Sequence, residues 1–128
     1  MSFLQKILKV FKSKSSTNFP GVVVGQIKNI DTHPNADKLR VVKVDAGKEI
    51  TVVCGANNIC VGQLVPTAMI GAALPGGIVI QQANIRGVDS EGMLCSATEL
   101  CVGEDDTGIL ILEQGEIGEP IDAYILRQ

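Results

Sequence analysis

Residues 21–30 read GVVVGQIKNI, and this decapeptide decides the fold. Three consecutive valines and two isoleucines favour an extended backbone, because β-branched side chains pack well on a pleated surface and crowd a helix. Gly25 in the middle of the run predicts a bulge or sharp bend in that strand. A bent first strand is what closure of a sheet into a small barrel demands.

Working outward, THPNADK (32–38) is a turn segment. Pro34 fixes its own φ and biases His33 to an extended backbone, while Asn35 and Asp37 can bond neighbouring amides. LRVVKVDAGKEITVVCGA (39–56) reads as a hairpin about Asp45-Ala46-Gly47, with Gly47 free to take a left-handed conformation. QLVPTAMIGAALPGGIVIQQANIRG (63–87) supplies further strands, cut by Pro66 and by Pro75-Gly76-Gly77. Ser96 followed by Glu99 predicts a short capped helix at 96–101, and GILIL (108–112) reads as a last strand.

Upstream, SFLQKILKVFKSK (2–14) spaces Phe3, Leu4, Ile7, Leu8 and Phe11 at helical intervals with Lys6, Lys9 and Lys12 between them. SKSSTNFPG (13–21) follows as a polar linker. Residues 1–19 are therefore expected to be a basic amphipathic helix and linker, and residues 20–128 one domain. A chain of 128 residues that is 45% hydrophobic forms one core and hardly two. The expected class is all-β: a small closed barrel of the oligonucleotide- and oligosaccharide-binding (OB) type, with one short helix and the N-terminal amphipathic helix. An Ig-like sandwich is the alternative, but a chain without Trp lacks its framework.

Charge is uneven. Residues 1–19 hold four Lys and no acid, whereas residues 20–128 hold seven Lys and Arg against fourteen Asp and Glu, a net of −7. Adhesion of the whole body to phosphate is excluded, so any nucleic-acid contact needs a local basic patch, such as Lys38, Arg40 and Lys43. No apolar run reaches the ~18 residues of a membrane span, and the N-terminus lacks the features of a secretory signal. A cytoplasmic protein without a membrane partner is expected. Cys54, Cys60, Cys95 and Cys101 should then be reduced thiols. Their two C-x5-C spacings are wider than those of structural zinc sites, so neither metal nor cofactor is expected.

Five ordered motifs, HPNADKL (33–39), VVCGANN (52–58), ALPGG (73–77), IRGVDSEGMLCS (85–96) and GILIL (108–112), resemble a family. It is the tRNA-binding domain found at the start of the β subunit of bacterial phenylalanyl-tRNA synthetase and in free-standing tRNA-binding proteins. The resemblance runs from about Gly21 to Ile121. It implies an OB-type barrel that binds the outer corner or stem of folded tRNA, without chemistry. It also carries a binding role onto five residues: Lys38 and Arg86 on phosphates, Asn57 and Ser90 on sugar or base edges, and Met93 as an apolar contact. Structural readings stand beside these, with Met93 as core, Asn57 closing a turn and Arg86 pairing with Asp89 or Glu91.

The remaining candidates carry less. One histidine cannot build a His-based metal site, and nothing around His33 forms a nucleophile–base pair, so it reads as a turn residue and the chain as no enzyme. Glu104-Asp105-Asp106 lacks a calcium-loop pattern, and GANN and LPGG lack the Lys-Ser/Thr of a phosphate loop. Generic single-strand binders stack bases on aromatic rings, yet Tyr124 is the only aromatic residue from Pro20 onward. Shape and phosphate recognition of a folded tRNA fits that deficit, with no role in binding DNA. The second function class is a protein-interaction or structural OB domain with little RNA affinity, in which a homodimer or other synthetase domains are the partners.

Overall fold

The computed structural model describes residues 19–104 and 107–125. The amphipathic helix expected over 1–19 lies outside the described residues except for Phe19, and so do Asp105 and Asp106. The strand expected at 21–30 forms and extends as β1 (Val22–His33). It is followed by β2 (Ala36–Asp45), β3 (Glu49–Cys54), β4 (Leu64–Met69), β5 (Ala73–Leu74), β6 (Ile78–Val79), β7 (Ala83–Ile85), β8 (Val88–Ser90), β9 (Gly92–Leu94) and a four-residue helix α1 (Asp122–Ile125).

Five strands make one antiparallel sheet in the order β3-β2-β1-β4-β9, while β5-β6 and β7-β8 are separate hairpins. β1 serves both halves of the sheet. Val22 to Gln26 pair with β4, and Gln26 to His33 pair with β2. The register slips between Ile27 and Asn29, so the bulge falls at Lys28 rather than at Gly25. Gly25 instead provides clearance. A Cβ there would overlap Thr67 Oγ1 and lie 2.6 Å from Val44 Cγ1, so its missing side chain lets β2 and β4 close over β1.

The sheet is nearly a closed barrel, because the free edge of β3 meets β8 and β9. Glu91 N–H donates to Thr51 C=O at 2.8 Å, and Thr51 N–H donates back to the Glu91 carboxylate at 2.8 Å. Val53 N–H donates to Ser90 Oγ at 3.0 Å. Side chains thus complete a seam that a regular ladder does not. Inside, Ile27, Val42, Val44, Val52 and Val65 form one apolar cluster, and Phe19, Val22, Ala68, Leu100 and Ile121 belong to a second. Phe19, assigned to the linker from sequence, is thus part of the core. The stretch 118–121 covers the β1 edge that the bend leaves open, through Val24 N–H to Glu119 C=O, Gly118 N–H to Val24 C=O and Ile121 N–H to Val22 C=O.

Three local expectations need correction. Pro66 does not cut a strand but sits inside β4, opposite Val24. Its C=O accepts from Cys95 N–H, and the Cys95 C=O is taken by Leu110 N–H, so no carbonyl there waits for the N–H that proline lacks. Residues 96–101 make a single turn rather than a helix. The capping box forms, with Ser96 N–H on Glu99 and Glu99 N–H on Ser96 Oγ. Cys101, at φ 58°, already ends the turn, with Val102 N–H on Ala97 C=O and Cys101 N–H on Thr98 C=O. The two caps leave no room for a helix between them. GILIL forms no strand of the sheet: Leu112 makes an isolated bridge with Leu64, Leu110 N–H donates to Cys95 C=O, and its apolar side chains pack on the core.

Candidate nucleic-acid interface

The turn between β1 and β2 fixes the geometry of the site. His33 is buried, 5% exposed, and both its ring nitrogens are used. Asn35 N–H donates to Nδ1 at 2.9 Å. That leaves the proton on Nε2, which lies 2.9 Å from Ile85 C=O and donates to it. Asn35 Nδ2 donates to Arg86 C=O at 2.9 Å. The HPN motif therefore clamps the β7–β8 hairpin across 51 to 52 residues of chain. That role extends the turn reading of His33 and excludes its use as a base or ligand in this arrangement.

The clamp places Arg86 beside Lys38. Both side chains are exposed and line one cleft with Asn35, Asp37 and Leu39. Among the described residues the Arg86 guanidinium donates to the Asn35 C=O alone, at 3.5 Å. The carboxylates considered as its partners are engaged elsewhere, Asp89 by Asn84 Nδ2 and Glu91 by Thr51 N–H. A second cleft opens at the barrel end, lined by Cys54, Gly55, Ala56, Met93, Thr98 and Ile109 among others. Gly55 separates the two: a Cβ on it would stand 3.4 Å from Leu39 Cδ2 and 3.9 Å from Lys38 C=O. Met93 is half-buried, packing on the core while lining this second cleft.

Asn57 and Ser90 separate in character. Asn57 is exposed next to Ala56. Its neighbour Asn58 is the structural one, holding Ile109 through Nδ2 to its C=O at 2.9 Å and Oδ1 from its N–H at 3.0 Å. Ser90 is 4% exposed, and its hydroxyl accepts from Val53 N–H and donates to Gly92 C=O at 3.1 Å. Lys38 and Arg86 thus share one cleft and Met93 lines the other, whereas Asn57 is exposed and lines neither, and Ser90 is built into the seam. Lys43, counted with the basic stretch, spends its ammonium on Thr51 Oγ1 at 2.8 Å.

Sequence reading missed His33, Asn35 and Asn58 as latches, although HPN, IRG and GANN all stood out as motifs, because their partners lie 51 or 52 residues away. Only two aromatic residues, Phe19 and Tyr124, lie among the described residues. Phe19 is in the core, and the Tyr124 hydroxyl donates to Glu119 and accepts from Glu116 N–H. Burial pushes the Cys95 thiol up to about 12, aided by Glu99, and raises Cys54 as well. Cys60 and Cys101 are exposed. Among the described residues no three His, Cys, Asp or Glu side chains gather as a metal site, and no helix is long and apolar enough to cross a membrane.

A family model described as "Putative tRNA binding domain" matches residues 22–120. The phenylalanine–tRNA ligase beta subunit of Pseudomonas savastanoi pv. phaseolicola is 51% identical over 109 residues, covering 84% of this chain and 14% of that protein. The subunit of the same name from Syntrophus aciditrophicus is 54% identical over 96 residues, 74% of this chain and 12% of that one. The chain thus spans about one-seventh of the length of such curated relatives. A crystal structure of the C-terminal domain of Plasmodium vivax p43 shares the fold, with a TM-score of 0.56 at 21% identity, over 80% of this chain and 58% of that one.

Proposed function

This chain belongs to the tRNA-binding domain family, and from that premise we propose that it is a non-catalytic module that binds folded tRNA by shape and phosphate contacts. It works in the cytoplasm, as part of or accessory to an aminoacyl-tRNA synthetase, with residues 20–128 as the binding domain and 1–19 as a basic segment beside it. The observation that carries this reading is the shared cleft of Lys38 and Arg86, two exposed cations on an otherwise acidic body. It adjoins the cleft lined by Met93 and Ala56. Lys38 and Arg86 contact phosphates, Asn57 a sugar or base edge, and Met93 an apolar face, whereas Ser90 acts on RNA through the seam that it holds. The scarcity of aromatic rings, with Tyr124 alone after Phe19, favours a folded RNA over a stacked single strand.

Binding should be weak, with Kd on the order of micromolar, since a body of net −7 neutralises few phosphates. Roughly three to five contacts give a log–log salt slope of about −2 to −4. Titration of tRNA against a single-stranded RNA of equal length tests the reading. Lys38→Ala and Arg86→Ala should each lower the slope by nearly one unit and weaken all tRNAs alike. No binding by the wild-type protein at low salt would sink it. A second reading, an interaction or structural domain whose partner is another synthetase domain or a second copy, is favoured by the acidic body and by exposed Ile70, Ile78 and Val79. A stable complex with such a partner, unaffected by Arg86→Ala, would support it.

A further inference from the structure

Arg86 carries a backbone feature that its chemistry does not explain. The turn joining β7 and β8 has two left-handed central residues, Arg86 at φ 52° and Gly87 at φ 97°. Such hairpin turns ordinarily place Asn, Asp or Gly first, because a longer side chain is strained there. Strained backbone persists only where the surroundings over-determine it, and it clusters at functional positions. A two-residue loop calls for this conformation, but strands of three residues that belong to no larger sheet are too short to hold it unaided.

What holds the turn is the β1–β2 corner. His33 Nε2–H anchors Ile85 C=O, and Asn35 Nδ2 anchors Arg86 C=O. On the hairpin side, Asn84 Oδ1 accepts from Gly87 N–H at 3.0 Å. The first two bonds come from the same motif that leads into Lys38, so one corner positions both cations. We propose that His33 and Asn35 are positioning residues: they hold Arg86 in its left-handed conformation and present its guanidinium beside Lys38 to an RNA phosphate. The proposal rests on the tRNA-binding reading and adds how the site is pre-organised.

Two substitutions separate the two ends of the imidazole. In His33→Asn, Oδ1 takes the place of Nδ1 and still accepts from Asn35 N–H, but nothing reaches Ile85. In His33→Gln, the side-chain amide reaches Ile85 C=O while the acceptor for Asn35 is lost. Using the full chain and unfractionated tRNA, His33→Asn should weaken binding roughly three- to tenfold at low salt and lower the salt slope by nearly one unit, as Arg86→Ala does. The His33→Asn/Arg86→Ala double variant should bind no worse than Arg86→Ala, and His33→Gln should stay within about twofold of wild type. On the free protein, 15N relaxation should show faster motion at residues 84–88 in His33→Asn and not in His33→Gln.

A purely structural His33 gives a different pattern, with Arg86→Ala costing the same factor in both backgrounds. That result, or an 84–88 turn as rigid in His33→Asn as in wild type, overturns the proposal. If His33→Asn does not fold, Asn35→Ala, at an exposed position, carries the same cycle with Arg86→Ala and must show the same loss of additivity. Failure of the wild-type protein to bind tRNA is read before any variant is made. It would remove the functional premise, and the proposal with it, whereas binding with an additive cycle removes the positioning alone.

Discussion

Ser90→Ala should open the barrel seam before it touches RNA. The hydroxyl is buried and fully used, accepting from Val53 N–H at 3.0 Å and donating to Gly92 C=O at 3.1 Å. Its removal leaves an edge N–H of β3 without an acceptor, a loss of about 1–3 kcal/mol when water cannot replace it. The donated bond adds about 0.5–1.5 kcal/mol. Val53 is half-buried, so water reaching the N–H pulls the total toward the lower end, about 2 kcal/mol. For a domain of this size that lowers Tm by about 10 °C. Urea unfolding followed by circular dichroism reads the same quantity as a fall in midpoint with an unchanged slope. Glu91→Gln is the control, because its Oε1 can still accept from Thr51 N–H, and it should melt close to wild type. At a temperature where Ser90→Ala is folded, its tRNA salt slope should equal that of the wild type. If Ser90→Ala melts within about 2 °C of wild type and yet loses tRNA affinity, the hydroxyl works on the RNA and the seam argument fails.

Gly25→Ala should destabilise by about 1–3 kcal/mol or more through overpacking, since the added methyl overlaps Thr67 and Val44; thermal melts check it, and a neutral effect would show that β1 can move. The Cys95 thiol, raised to about 12 mainly by burial, keeps its proton in the folded chain while the unfolded chain releases it near the ordinary value of 9.0. Its contribution is therefore present below pH 9 and is lost as pH rises towards 12, at about 1.4 kcal/mol per unit. The stability gap between wild type and Cys95→Ala should narrow by about 1 kcal/mol from pH 8 to about pH 10 in urea titrations. A thiol-reactive dye should label exposed Cys60 and Cys101 in the native protein and add buried Cys54 and Cys95 only on unfolding; mass spectrometry of the labelled peptides decides it.

Local chemistry on its own determined the all-β class. The β-branched run in GVVVGQIKNI, the hairpin about Asp45 and Gly47 and the Pro75-Gly76-Gly77 turn depend on neighbours two or three positions apart, and each formed where its residues implied. The sequence also held both halves of the interface as motifs, HPNADKL and IRG, and Lys38 and Arg86 could be named as its cations. Elements whose fate depended on distant partners were not legible. Pro66 stays in a strand because the Cys95 carbonyl is already occupied by Leu110. The capped turn at Ser96 goes no further because Cys101 turns left-handed. The lone histidine read as part of a turn, and the tertiary structure made it a buried clamp. A histidine ring gains a fixed tautomer and a structural role only when a donor and an acceptor stand at its two nitrogens. Asn35 N–H lies two residues away, but the Ile85 carbonyl lies 52 residues away. Loop closure over that distance is set by the bend of β1 and the closing of the barrel, which no local pattern encodes.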